Sequence, residues 1–172
     1  MTSLVVMGVS GCGKSHVGAV VAECLRLPLV EGDAFHSEAN RARMRDGIPL
    51  TDADRADWLD RLGAELRLLP DGAVLTCSAL KASYRDRLRA ASPGLRFAWL
   101  DLDPASAEVR VAQRAAHFFP KGLVATQFEA LESPLGEPGV LRLDALLPPR
   151  AIADSVVRWT SRLDASGAGT NG

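Results

Sequence analysis

Gly8-Val9-Ser10-Gly11-Cys12-Gly13-Lys14-Ser15 matches the phosphate-loop pattern G-x-x-x-x-G-K-[ST]. Glycines let the backbone N–H groups turn inward around phosphate oxygens. Lys14 reaches the β- and γ-phosphates as a point charge, and the Ser15 hydroxyl is placed to ligate Mg²⁺. The helix that follows aims its positive end at the same anion. All eight residues are therefore candidate nucleotide contacts, Lys14 with a catalytic role as well. Cys12, between two glycines, has two readings. Either any small side chain fits there, or the helix N-terminus and Lys14 lower the thiol's pKa and make it reactive. With glycine at ~7% of average usage, the fixed positions recur by chance in roughly one chain of this length per hundred or more.

The flanks supply the context this loop needs. Leu4 to Met7 is an apolar run without polar alternation, as in a strand buried on both faces of a parallel sheet. Ser15 to Leu27 carries Val17, Val20, Val21, Cys24 and Leu25 at helical spacing, and Pro28 ends it. Further strands are expected at Leu29-Val30, Ala73 to Cys77, Phe97 to Leu102 and Val140 to Leu143. Between them, helices are expected over 37–46, from a Thr51 cap to Leu69, over 82–91, from Pro104, and from Pro148-Pro149 to about Leu163. Strands alternating with helices predict an α/β domain with a parallel sheet covered on both faces. A single domain is expected over 1–164, with a disordered Gly-rich tail over 165–172.

Composition removes other classes. The 172 residues are 47% hydrophobic and 24% charged, which is globular rather than disordered. The net charge of -1 offers no broad positive field for nucleic acid or an anionic membrane, so neither partner is expected. No apolar run approaches the ~20 residues of a membrane span, and the start lacks a basic signal-peptide region. Cys12, Cys24 and Cys77 are odd in number and form no Cys-x-x-Cys pair, so free thiols in a reducing cytoplasm are expected.

The phosphate loop implies ATP or GTP but not the reaction. No Asn-Lys-x-Asp guanine-reading motif is present. The chain is short for a motor or a transporter ATPase, which leaves a compact kinase that passes the γ-phosphoryl to a small acceptor. Asp33 follows the second strand and so lies at the ligand edge of the sheet. There it can take an acceptor hydroxyl's proton or orient that hydroxyl for in-line attack. His36 either hydrogen-bonds acceptor hydroxyls or caps the next helix. Residues 115–124 interrupt the pattern between two helices and are expected to form a mobile lid. Arg110 and Arg114 precede it, four apart on one helix face, and are expected to meet the transferring phosphoryl on closure.

Several motifs occur in one ordered series: Gly32-Asp33-x-x-His36, Asn40, Met44-x-x-Gly47-x-Pro49-Leu50, Asp52-x-Asp54-Arg55 and Trp58-Leu59. Cys77-Ser78-Ala79-Leu80-Lys81-x-x-Tyr84-Arg85-Asp86, His117-Phe118-Phe119 and Thr126-Gln127-Phe128-x-x-Leu131-Glu132-x-Pro134 complete it. With the phosphate loop, this series closely resembles the small bacterial-type gluconate kinases, relatives of shikimate and adenylate kinases. The resemblance runs from about Leu4 to Arg162. It implies a five-stranded parallel sheet with a mobile lid, ATP and Mg²⁺, transfer to the 6-hydroxyl of D-gluconate, and commonly a homodimer. It also implies acceptor contacts from Asp33, His36, Asn40, Ser78 and Gln127, while His117 either contacts the acceptor or orders the closed lid. An anionic, hydroxyl-rich acceptor needs a cation for its carboxylate, and Arg55, Lys81 and Arg85 are the candidates. For Arg85 a solvated helix face is the alternative, since Arg87 and Arg89 continue a basic run. Glu31 is the candidate for a water-mediated Mg²⁺ contact, while Asp101 reads as a strand-end residue. Ala115-Ala116 stands where a glycine is usual, so a stiffer lid hinge is expected. Two alternatives remain: a kinase for another small polar acid such as shikimate, and a nucleotide-binding switch without transfer. Asp33 and the paired arginines favour chemistry, because a pure binder needs neither.

Overall fold

The structure is a computed structural model that describes residues 3–114 and 122–167. Its strands are β1 (Leu4–Met7), β2 (Leu29–Glu31), β3 (Val74–Thr76), β4 (Arg96–Asp101) and β5 (Val140–Asp144). Its helices are α1 (Lys14–Leu25), α2 (Glu38–Arg45), α3 (Asp52–Leu68), α4 (Ala82–Ala91), α5 (Pro104–Gln113), α6 (Leu123–Ala130) and α7 (Pro149–Gly167). A 3-10 turn, Gly32–Phe35, follows β2. All pairings are parallel, in the order β2-β3-β1-β4-β5. The fold class read from the alternating pattern and the five strands implied by the resemblance are both present.

Every residue of β1 is buried, because strands flank it and helices cover both its faces. Successive side chains alternate between two cores. Leu4 and Val6 join Ala98 and Leu100 against Val17 and Val21 of α1 and Ile152 and Val156 of α7. Val5 and Met7 join Phe97 and Trp99 against Leu59 and Leu62 of α3 and Leu88 of α4. Thr51 caps α3 in a reciprocal box: its hydroxyl accepts from the Asp54 N–H, and the Asp54 carboxylate accepts from the Thr51 N–H.

This strand order places the site. The chain leaves β1 toward β2 and leaves β4 toward β5, so a crevice opens beyond the carboxyl ends of β1 and β4. The phosphate loop lies at its mouth. Beside it, β2 exits so close to β3 that a Cβ on Gly32 would stand 2.2 Å from the Thr76 carbonyl oxygen. Only glycine fits, and the close approach brings Glu31 and Asp33 to the same edge.

Two boundaries differ from expectation. The last helix continues to Gly167 rather than stopping near Leu163. Asp164 is held there by Arg96, and the Ser166 hydroxyl donates to the Arg162 carbonyl, so 165–167 is helix rather than tail. Leu123 and Val124, placed in the lid by sequence, already belong to α6. Residues 115–121, with His117 and the hinge pair Ala115-Ala116, lie outside the described residues, as do 168–172. Among the described residues no helix is long and apolar enough to cross a membrane.

Candidate active site

Two hollows meet at the crevice. The smaller, about 320 Å³, is bounded by phosphate-loop residues, Asp33 and Arg114. The larger, about 790 Å³, is a cleft running toward α2 and the start of α3. Ser10, Lys14 and Asp33 line both. An anion in the first hollow therefore adjoins a polar molecule in the second, with one cation and one carboxylate at the seam.

The loop geometry follows from its glycines. Gly8 has φ +147°, and a Cβ there would lie 2.8 Å from both the Leu100 carbonyl and the Cys12 sulfur. Gly13, at φ 92°, turns the chain into α1, which Lys14 begins. The Lys14 ammonium donates to the Val9 carbonyl at 3.1 Å. Gln127 of α6 grips Ser10 twice: its Oε1 accepts from the Ser10 N–H at 2.6 Å and its Nε2 donates to the Ser10 hydroxyl at 2.9 Å.

Ser15 donates to Glu31 Oε2 at 3.1 Å, and the Thr76 hydroxyl donates to the same oxygen at 2.5 Å. Ser15 lines the phosphate hollow and its hydroxyl touches the Glu31 carboxylate, a pair of hard oxygen donors of the kind that suits Mg²⁺. Among the described residues no cluster of three or more His, Cys, Asp or Glu forms a metal cage.

Asp33 projects from the 3-10 turn with its side chain 85% exposed, and His36 Nε2 lies 3.9 Å from its Oδ1. The His36 ring is buried and stacked on Trp58, with centroids 4.2 Å apart, and the Trp58 indole donates to the Gly32 carbonyl at 2.8 Å. Burial lowers the His36 pKa, the Asp33 charge opposing, so the ring tends to the neutral form. His36 does not cap α2; the Ser37 hydroxyl does that by accepting from the Asn40 N–H.

Farther along the cleft, Arg55 donates to the Leu50 carbonyl at 2.9 Å and to the Tyr84 hydroxyl at 3.3 Å. Lys81 donates to both Asp52 oxygens, at 2.9 and 3.1 Å. The Tyr84 hydroxyl also donates to Asp52, and with Lys81 it holds that carboxyl below the usual range. Ser78 lines the same wall.

Asp33, His36, Arg55, Ser78, Lys81 and Gln127 thus share one cleft. Other expected residues do not join them. Arg85 is fully buried, its guanidinium turned toward backbone carbonyls and Glu137, so it is neither a carboxylate partner nor a solvated helix face. Asn40 is buried and donates to the Asp54 carbonyl at 2.8 Å, tying α2 to α3 behind the cleft wall. Arg110 and Arg114 part company. Arg110 donates to the Gly11, Cys12 and Ala145 carbonyls, which need donors where the loop turns, and only Arg114 lines the phosphate hollow. Cys12 is 1% exposed and packs beneath Gly8, so the reading as a small fitting residue holds and the reactive-thiol reading loses its access. Cys77 is buried, which pushes its thiol up to about 12. Asp101 ends β4 in an ion pair with Arg142.

Sequence reading misses Arg41 and Arg45 as cleft residues, and Asp52 too. Asp52 reads as an acid suited to a helix dipole, yet its spacing from Arg55, three apart on one helix face, carries the signal that both face the cleft.

The scan against protein-family models matches none. Curated proteins and solved structures do. The thermosensitive gluconokinase of Escherichia coli (strain K12) is 42% identical over 146 residues, covering 83% of this chain and 78% of that protein. The gluconokinase of Gluconobacter oxydans (strain 621H) is 41% identical over 159 residues, covering 90% and 89%. The crystal structure of a gluconokinase from Sinorhizobium meliloti 1021 superposes with a TM-score of 0.91 at 41% identity, over 99% of this chain and 98% of that one. A shikimate kinase from Aquifex aeolicus superposes with a TM-score of 0.57 at 13% identity, over 99% and 100%, a likeness of fold alone.

Proposed function

The chain belongs to the gluconokinase family, and we propose accordingly that its two hollows join ATP to gluconate across Asp33 and Lys14. The reaction is the ATP-dependent phosphorylation of gluconate. The observation that carries the residue assignment is the seam: Lys14 and Asp33 bound both the phosphate hollow and the acceptor cleft.

Arg55 and Lys81 line the cleft but not the phosphate hollow. We assign them the gluconate carboxylate, Arg55 as the planar fork and Lys81 as the point charge beside it. A six-carbon chain held by its carboxylate end presents its other end, the 6-hydroxyl, toward the seam. Asp33 takes the proton from that hydroxyl as its oxygen bonds to the γ-phosphorus, while the bond to the β,γ-bridging oxygen breaks and ADP leaves. Lys14 stabilises the charge that develops on the transferring oxygens. Ser15 and Glu31 are the residues that would hold Mg²⁺, which when bound neutralises phosphate charge. The three unpaired cysteines fit a reducing cytoplasm. A homodimer belongs to the same proposal, and analytical ultracentrifugation tests it.

A coupled ADP-release assay across D-gluconate, other sugar acids, shikimate and nucleoside monophosphates tests the reading. Turnover on gluconate is expected, with NMR of the product placing the phosphate on the 6-oxygen. Turnover on shikimate or a nucleotide, with none on gluconate, would overturn it.

Arg114 stands at the end of α5 beside the phosphate hollow. Its charge is worth most where charge develops, so Arg114→Ala is expected to lower kcat more than it raises KM for gluconate. Steady-state kinetics decide the matter: an effect on KM alone marks Arg114 as a ground-state binder.

A further inference from the structure

Arg85 is the largest fully buried side chain among the described residues. Burying a guanidinium is costly unless every N–H finds an acceptor. Here all three nitrogens do. Nε donates to the two Glu137 oxygens at 3.1 and 3.0 Å. Nη1 donates to the Ala79 and Leu80 carbonyls at 2.8 and 2.9 Å. Nη2 donates to the Glu132 carbonyl at 3.0 Å and to Glu137 at 2.6 Å. Arg89 donates to the same Glu137 carboxylate at 2.9 Å.

What this guanidinium holds bears on the acceptor. Ala79 has φ +45°, a left-handed conformation that an alanine adopts only under constraint. Its carbonyl and that of Leu80 are drawn inward onto Arg85, and the Ser78 carbonyl is drawn the other way, to the Gly8 N–H. With those carbonyls fixed, Ser78 and Lys81 line the cleft. Arg85 also reaches the strand of chain that leaves α6. The Glu132 N–H donates to the Leu80 carbonyl at 2.9 Å, and the Glu132 carboxylate accepts from the Ala82 N–H at 2.8 Å, at the start of α4. That segment follows directly from the helix whose Gln127 grips Ser10 of the phosphate loop.

We propose that Arg85 is a positioning residue for the acceptor: a buried staple that holds the 77–81 loop in the conformation presenting Ser78 and Lys81, and keeps it in register with α6 and the phosphate loop. The inference rests on the acceptor reading above. It assigns Arg85 no contact with gluconate.

The test is Arg85→Lys, which keeps the positive charge near Glu137 but replaces a five-donor fork with a single ammonium. A loosened loop misplaces the acceptor, so kcat/KM for gluconate is expected to fall by about 10- to 100-fold. Most of that fall should appear in KM, while the Kd for ATP, from fluorescent-nucleotide titration, stays within about twofold. Amides of residues 79–82 should exchange hydrogen faster in the variant. Leu88→Ala is the control, because Leu88 is equally buried on α4 but, being apolar, donates no hydrogen bond to the loop's carbonyls. It should lower the Tm yet leave KM for gluconate unchanged. If Arg85→Lys behaves as Leu88→Ala does, losing Tm alone, Arg85 is merely structural and the inference fails. Should Arg85→Lys not fold, Glu137→Gln replaces it: a selective rise in KM for gluconate supports the staple, and an unchanged KM overturns it. Wild-type protein without activity on gluconate would refute the acceptor reading itself, whereas an active wild type with an unselective variant refutes only the staple.

Discussion

Lys14→Ala is expected to lower kcat for phosphoryl transfer by about 10²–10³-fold, the usual cost of removing one preorganised donor from a developing oxyanion. The ammonium stands at the seam of the two hollows, and among the described residues it is anchored by the Val9 carbonyl, 3.1 Å away, and by a loose 3.9 Å approach to the Cys12 sulfur. It packs into neither core, so its removal should leave the Tm nearly unchanged. Alanine is also an excellent helix former at the first position of α1. The variant should therefore be folded but strongly impaired in transfer. The measurement is ADP release at saturating gluconate beside a circular-dichroism melt. Turnover close to wild type would remove the phosphate loop from the mechanism, and a large fall in Tm would make the lost activity uninformative.

Asp33→Asn should retain ATP binding and lose about 10²–10⁴-fold in transfer to gluconate, the range general-base help supplies. The amide keeps the shape and can still accept a hydrogen bond from the hydroxyl, but it cannot take the proton. Since the side chain is 85% exposed and its contact with the His36 ring is a loose 3.9 Å, the substitution breaks no packing. Nucleotide titration separates the two steps. A fall of less than about tenfold would reduce Asp33 to an orienting role.

The phosphate loop was legible because its chemistry is local: eight consecutive residues, each with a backbone or charge role, between a buried strand and a helix. The strands and the extent of α3 were legible for the same reason, since their signals are contained in the segments themselves. Asp33 could be placed from its position after β2 alone. Arg85 could not. Nothing in the run Arg85, Arg87, Arg89 says which one turns inward, because the acceptors that decide it, Glu132 and Glu137, lie about fifty residues away in the chain. The partners of Arg110 are hidden in a similar way. They are carbonyls of Gly11, Cys12 and Ala145, brought to α5 by the fold rather than by helical spacing. Asn40 belongs to the same class, its acceptor being a backbone carbonyl on α3. Long-range partners of polar side chains are what one sequence hides best.

The central place of β1 has a consequence for the order of events during synthesis. Leu4 pairs with Val74 on one side and with Arg96 on the other, so the earliest strand is closed in only by chain that follows much later. Such non-local pairing slows folding, because the intervening chain must be gathered before any contact rewards it. The Gly8–Ser15 turn hangs from that strand, and its carbonyls wait further still, for the Arg110 guanidinium. On the ribosome the nucleotide motif thus emerges well before the helix after β4, whose Arg110 braces its carbonyls.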